Sequence, residues 1–295
     1  MLTGDTPTVA AALDRHPCIS SDAVGKSGRI HLPVSPRCNI HCRFCPRRLH
    51  PTASAPGVTR HILTPDEAAR RVDVAVERCP DIAVVGIAGP GDPLASNHAE
   101  TTLSLVRARH PDLVLCLSTN GLELPERVDA LGKIGVQALT VTMNATEPAV
   151  LAQIVPRIVV SGGVLAGPDA AELLIARQRE GIDRAVSLGL FVKINFVLVP
   201  GINDDQVGEV ARIAATHGAQ RINIIPLLPQ AGFAGRRPPN CSEIERSRRA
   251  AERYLPVFRH CQRCRADACG IPGKTSLEND LFESLADPIH TFSHG

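Results

Sequence analysis

Apolar residues gather along this chain in six short blocks, 29–34, 82–88, 113–119, 138–144, 191–199 and 221–228. Each is strand-sized, and most stop at Gly, Pro or Asn. Between the blocks the apolar positions recur at helical spacing. Thr64 stands before Pro65, Asp66 and Glu67, which predicts a capped helix start with acids at its positive end. Pro125-Glu126-Arg127 and Asn203-Asp204-Asp205 open two further predicted helices. The longest predicted helix covers 169–188, carries Leu173, Leu174, Ile182 and Val186, and is interrupted by Gly181.

Strands alternating with helices predict an α/β protein with a parallel sheet and right-handed crossovers. Six units favour a partial (βα)6 TIM-type barrel over an open sheet. Either geometry collects its chemistry on the loops after the strand C-termini. The barrel is predicted over 29–235. It leaves an N-terminal arm, 1–28, and a C-terminal tail, 236–295, expected to fold back over the barrel mouth. Arg236-Arg237-Pro238-Pro239 marks the joint between barrel and tail.

Composition narrows the class. The 295 residues are 44% hydrophobic and 21% charged, as in a folded protein with a sizeable core. A formal charge of +2 and an aromatic content of 3%, with no Trp, argue against a nucleic-acid partner. No stretch reaches the ~18 apolar residues of a membrane span, and the longest run, within 188–199, is broken by Lys193 and Asn195. The first twelve residues carry no basic region ahead of an apolar core. A cytoplasmic protein with no membrane partner is expected. Ten cysteines and eleven histidines then point to metal chemistry rather than crosslinks.

The deciding motif follows the first predicted strand: Cys38-Asn39-Ile40-His41-Cys42-Arg43-Phe44-Cys45. Its C-x3-C-x2-C spacing lets three thiolates hold three irons of a cubane and leaves the fourth iron open. A zinc site built from paired C-x2-C knuckles does not match it. Later strand ends add polar groups. Gly89, Gly91 and Asp92 follow the second strand, Ser118, Thr119 and Asn120 the third, and Asn144 the fourth, while Lys193 and Asn195 lie on the fifth. Glycines permit close backbone approach to a ligand. Asp92 can accept from an ammonium, and the hydroxyls and amides suit a ribose or a carboxylate. Each residue alone is an ordinary turn or a satisfied polar group; the set on successive strand ends carries the reading.

The cysteine loop resembles that of the radical S-adenosylmethionine (SAM) superfamily, which joins it to a partial barrel. The resemblance implies a 4Fe-4S cluster on Cys38, Cys42 and Cys45 whose open iron binds SAM. It implies reductive cleavage of the sulfonium to a 5′-deoxyadenosyl radical. Phe44 would set its backbone near the adenine.

Longer stretches carry a narrower resemblance. His16-Pro17-Cys18, the segments 87–94 and 115–122, Val199-Pro200-Gly201-Ile202-Asn203-Asp204, and the tail segment from His260-Cys261-Gln262-Arg263-Cys264 to Ala268 resemble the NifB family of nitrogenase cofactor maturases. The match runs from about 16 to 273, and the chain is similar to the short form of the family, without a carrier domain. The resemblance implies two further 4Fe-4S clusters as substrates. It implies methyl transfer from one SAM, radical chemistry from a second, carbide insertion and fusion into an eight-iron precursor. It also implies partners: an iron–sulfur donor, an electron donor (ferredoxin or flavodoxin) and a cofactor carrier or scaffold. The extra ligands would be His16 and Cys18 from the arm, Cys116 from the third strand, and Cys261 and Cys264 from the tail.

The chain departs from the family pattern in two places. Residues 46–56 lack the expected cysteine and glutamate, and His50 falls near the missing cysteine as a candidate replacement ligand. Residues 154–165 lack the family's aromatic and basic residues. These changes keep open a paralogue serving a nitrogenase-like reductase. Two other readings are a radical SAM enzyme with an organic substrate, of the molybdopterin-synthesis kind, and a non-catalytic iron–sulfur or zinc protein. Cys79, Cys241 and Cys269 are expected to be structural, with Cys269 a reserve ligand, and His31 either orients a cluster loop or packs.

Overall fold

A computed structural model describes residues 9–282 apart from 47, 51, 54 and 162. The first eight residues of the arm and 283–295 of the tail lie outside the described residues. In chain order the elements begin α1 (Val9–Asp14), β1 (Gly28–His31), α2 (Pro65–Arg78), β2 (Ile82–Ile87) and α3 (His98–Arg109). Next come β3 (Val114–Thr119), α4 (Leu124–Ile134), β4 (Ala138–Thr142), α5 (Pro148–Ile154), β5 (Arg157–Val160) and β6 (Gly163–Ala166). The chain then forms α6 (Gly167–Ser187), β7 (Phe191–Leu198), α7 (Val207–Thr216), β8 (Arg221–Pro226), α8 (Cys241–Glu252), β9 (Cys269–Gly270) and α9 (Glu278–Phe282).

The main sheet has the order β8-β7-β4-β3-β2-β1-β9. Its six parallel strands are adjacent in the order the chain makes them, as in a barrel that curls one way; a doubly wound sheet reverses direction part-way. These are the six predicted strands, and the partial barrel is found. Leu115, Leu139, Ile194 and Ile222 join helix residues such as Val72, Leu103 and Val128 in the main core. The opposite face lines the barrel interior, with Gly86, Cys116, Thr140, Lys193 and Asn223 on successive strands. The period of two along each strand separates the two sets.

Local chemistry explains several boundaries. Thr64 caps α2 through a full capping box with Glu67. β1 ends earlier than its apolar run, because Pro33 has no N–H to continue a ladder. The β5–β6 hairpin has no counterpart in the sequence reading. Every residue of β6 is exposed, so no alternation marks it as a strand. Its partner β5 lies against the cysteine loop: Ile40 bridges Ile158, His41 N donates to the Arg157 carbonyl at 3.0 Å and Val159 N donates to the Asn39 carbonyl at 2.8 Å.

The arm plugs the N-terminal end of the barrel. Ala12, Leu13 and Ile19 pack on Ala83, Val84, Val114 and Ala138 at the starts of β2, β3 and β4. Arg221 donates to the Ile19 carbonyl, and Lys193 Nζ to the Cys18 carbonyl at 3.0 Å. The tail was expected over the mouth, and it reaches the loop after β1 there: Ala266 N donates to the Val58 carbonyl at 2.9 Å, Arg265 donates to the His50 carbonyl at 3.0 Å, and Ala266 packs near Gly89 beyond the end of β2. The rest of its course closes the open side of the half-barrel. Val257 bridges Ile222 on the β8 edge, and β9 pairs antiparallel with β1 on the other edge. Two unpaired sheet edges are the physical reason for that route. Asp267 locks it: this fully buried carboxylate pairs with Arg265 at 2.6 Å and accepts from Arg60 N at 2.8 Å. Burial raises the Asp267 carboxyl, but its bonds to Arg265 and Arg60 outweigh burial and hold it below the usual range.

Candidate functional site

Two cavities meet inside the barrel. Ala88 and Ser118 line both.

The smaller, outer cavity lies at the strand C-termini. Cys38, Cys42, Phe44 and Cys45 face it from the loop after β1, and Gly91, Asp92, Ser118, Thr119, Asn120 and Asn144 face it from the strand ends. The two sides are stitched together. Gly91 N donates to the Ser35 carbonyl at 2.9 Å and Asp92 N to the Arg37 carbonyl at 2.8 Å. A Cβ at Gly91 would fall onto the Arg37 carbonyl, so only glycine allows this approach. Asp92 accepts from Leu94 N at 2.9 Å, Asn120 N at 2.6 Å and Thr119 Oγ1 at 3.0 Å. Burial pushes its carboxyl up to about 6, against the pull of those donors. Asp92 therefore organises the 118–121 turn. Asn120 Nδ2 donates to Asn39 Oδ1 at 2.7 Å, and Asn144 Oδ1 accepts from Val197 N at 2.9 Å. Much of the amide capacity expected for SAM is spent on building the wall.

A residue the sequence reading missed supplies a free acceptor. Gln178 on α6 donates through Nε2 to the Asn120 and Thr142 carbonyls at 2.7 and 2.9 Å. Its Oε1 is buried without a hydrogen-bond partner, and the residue lines the outer cavity. A lone Gln between Leu174 and Ile182 on the buried face of the helix was the available signal.

Three expected residues lie elsewhere. Gly89, with φ +127°, packs against Gly57 and Ala266 and does not line the outer cavity. Asn195 faces the inner cavity, bonded to Asn223 at 3.1 Å, because its position on β7 precedes the strand end. His50 lines neither cavity. Its Nδ1 accepts from Thr52 N and Ala53 N at 3.1 and 2.9 Å, so the ring caps its own turn.

The larger, inner cavity sits between arm, sheet and tail. His16 and Cys18 enter from the arm, His31 and Cys116 from β1 and β3, and Cys261 and Cys264 from the tail. No carboxylate lines it among the described residues. Burial pushes the Cys116 thiol up to about 12 and raises Cys18 as well; Cys18 raises Cys116, while Lys193 lowers both. Arg29 donates to Cys264 Sγ at 3.1 Å.

The two histidines differ in what they offer. The His31 Nδ1 lies 3.0 Å from the Arg265 carbonyl. A carbonyl only accepts, so Nδ1 carries the proton and Nε2 keeps its lone pair. Burial first, then Arg29, lowers His31 to about 4, so the ring is neutral. A Cβ built on Gly86 would lie 3.0 Å from Cys116 Sγ and 3.6 Å from His31 Nε2, which sets both donors beside one gap. His16 Nδ1 instead accepts from Cys18 N at 3.1 Å, which puts the neutral ring's proton on Nε2. Burial lowers His16 to about 3. His31 is therefore the better imidazole donor of the two. Its bond to the tail could not be read from spacing along the chain.

Cys79 closes α2, Cys241 opens α8, and Cys269 lies in the main core, where burial pushes its thiol up to about 12. Among the described residues, no three His, Cys, Asp or Glu side chains converge as a single metal ion would require. A cubane spreads its thiolates over different irons, and three thiols around an outer cavity fit that demand.

A family model described as the Radical SAM superfamily matches residues 32–214. The fold agrees: SuiB of Streptococcus suis superposes with a TM-score of 0.58 at 15% identity, covering 86% of this chain and 53% of that one. A radical SAM methyltransferase from Sphaerobacter thermophilus gives 0.55 at 19%, covering 79% and 64%. The class is thus a radical SAM protein. The FeMo cofactor biosynthesis protein NifB of Klebsiella pneumoniae is 43% identical over an alignment of 292 positions that covers 96% of this chain and 62% of that protein. The NifB of Methanocaldococcus infernus is 40% identical over 273 residues, 92% of this chain and 90% of that protein. Within the radical SAM superfamily, the chain belongs to the NifB family.

Proposed function

We propose that this chain is a radical SAM enzyme of nitrogenase cofactor biosynthesis that acts on iron–sulfur clusters held in its inner cavity. The observation that carries this reading is the contact of the two cavities across Ala88 and Ser118. One has the three-cysteine loop, and the other has four further cysteines and a lone-pair imidazole. An organic substrate would not call for so many soft donors. Cys38, Cys42 and Cys45 would hold the 4Fe-4S cluster, with SAM between that loop and the wall that Asp92 organises. When bound, that pair supplies a one-electron cut of the SAM sulfonium. Gln178 Oε1 offers SAM an acceptor, and the apolar packing of Phe44 and Leu151 limits water.

In the inner cavity, Cys18, Cys116 and His31 would hold one substrate cluster and Cys261 with Cys264 the other. Few protein ligands per cluster suit a substrate that has to leave. The proposed conversion takes a SAM methyl carbon to the central carbide as the two clusters fuse into an eight-iron product. An iron–sulfur donor, an acidic electron carrier of the ferredoxin or flavodoxin kind, and a carrier for the product complete the scheme. Among the described residues no helix is long and apolar enough to cross a membrane.

Anaerobic reconstitution tests the proposal. About twelve irons per chain, three cubanes, is the expected count. About four, with SAM cleavage intact, would overturn the two-cluster reading. Cys42→Ala is expected to abolish deoxyadenosine formation while the chain still folds.

A further inference from the structure

Lys193 is 7% exposed and points from β7 into the inner cavity. Its ammonium can donate three hydrogen bonds. Among the described residues it makes one, to the Cys18 carbonyl at 3.0 Å, and it lies 5.6 Å from the centre of the Phe258 ring. Among the described residues it has no ion pair, and no carboxylate lines the cavity. The carboxylate of Asp267, which acts on His31, is already committed to Arg265 and Arg60. A buried charge without a counter-charge is costly, so its retention calls for an anion that the protein itself does not supply.

The surroundings say which anion. The register places Lys193 beside Thr140, and Thr140 beside Ser118, two residues further along β3 than Cys116. The backbone of Lys193 is therefore level with the wall shared with the outer cavity, and its ammonium reaches from there to the arm. The same cation acts on His16, Cys18, His31 and Cys116. Cys18 and Cys116 would ligate iron as thiolates. Two cysteinates and the electron of a reduced cluster would bring negative charge to the place where Lys193 waits.

We propose that Lys193 is the counter-cation of the substrate cluster bound between the arm and β3, donating to its sulfur edge while it ties the arm down through the Cys18 carbonyl. The inference rests on the cluster-chamber reading above. Lys193 is a positioning residue that sets how tightly this cluster is held and how readily it takes an electron. Hydrogen bonds and local charge are the protein's ordinary means of tuning such clusters.

The test compares the full chain with Lys193→Met and Lys193→Arg, each before and after anaerobic loading with iron and sulfide. Methionine keeps the apolar length and removes the charge. Loaded wild type should hold about twelve irons, Lys193→Met about eight, and Lys193→Arg close to wild type. Any inner cluster that Lys193→Met retains should reduce at a lower potential. Thermal melting separates charge from simple pinning. Without clusters, Lys193→Met should melt at or above wild type, because it sheds an unpaired buried charge; when loaded it should melt below it. Equal iron with an unmoved potential, or equal destabilisation of empty and loaded protein, would overturn the assignment. A wild-type chain that holds only about four irons would instead remove the cluster-chamber reading on which it stands.

Discussion

Asp92 shows how a single buried carboxylate can set the form of a binding wall. Its two oxygens gather donors from 94, 119 and 120, and only the ionised form accepts from all of them. Asp92→Asn turns one acceptor into a donor facing backbone N–H. A buried unpaired donor costs roughly 1–3 kcal/mol. SAM affinity measured by equilibrium dialysis should fall about tenfold for each 1.4 kcal/mol that reaches the bound state. The pH dependence has a definite sign. The folded carboxyl titrates at about 6, above its ordinary value of 3.8, so the native state holds the proton more tightly. Its contribution to stability is fully present below about 4 and is lost as pH rises to about 6. SAM affinity should rise over the same interval, and Asp92→Asn should flatten that rise. At this scale the cysteine loop was legible, because its spacing along the chain is its chemistry. Gln178 and His31 were not, because an orphan oxygen and a fixed tautomer arise from contacts made across the fold.

The strands and most helices could be read from periodicity, since a sheet with helices on one face has to alternate. α2 illustrates how fully a local signal can persist. Thr64 N and Oγ1 donate to Glu67 Oε2 at 2.8 and 2.7 Å, and Glu67 N donates back to Thr64 Oγ1 at 3.3 Å. Thr64→Ala should lower stability by about 1 kcal/mol in urea unfolding, with cluster loading unchanged. The β5–β6 hairpin and the two-residue β9 escaped notice for one reason: neither buries a periodic face of its own. The hairpin leans on the cysteine loop, and β9 completes an edge. The stretch that departs from the family pattern, 154–165, is thus the segment that braces Asn39, His41 and Arg43.

Across the whole molecule, the arm and the tail converge on one cavity although they are far apart in sequence. Composition gave the surplus of cysteines, and only the fold divides them among two cavities, the core and the exposed start of α8. Asp267 holds the arrangement at the tail. Asp267→Ala leaves Arg265 buried and unpaired, which costs roughly 3–5 kcal/mol. Hydrogen exchange should then quicken across 257–270, while α4 and α6 keep their protection. If that loss of protection spread evenly over the barrel, the tail would not be the separately anchored closure described here.

Ala88 and Ser118 have one more consequence, for traffic. Above them a small molecule can come and go through the outer cavity at the strand ends. Below them the inner cavity is floored by the arm and walled by the tail. On the proposed reading, with SAM in the upper room, an iron–sulfur cluster would reach the lower one past the exposed stretch of the tail at Cys261. The barrel would then serve as the housing, and cargo exchange would depend on the arm and tail that Lys193 and Asp267 tether.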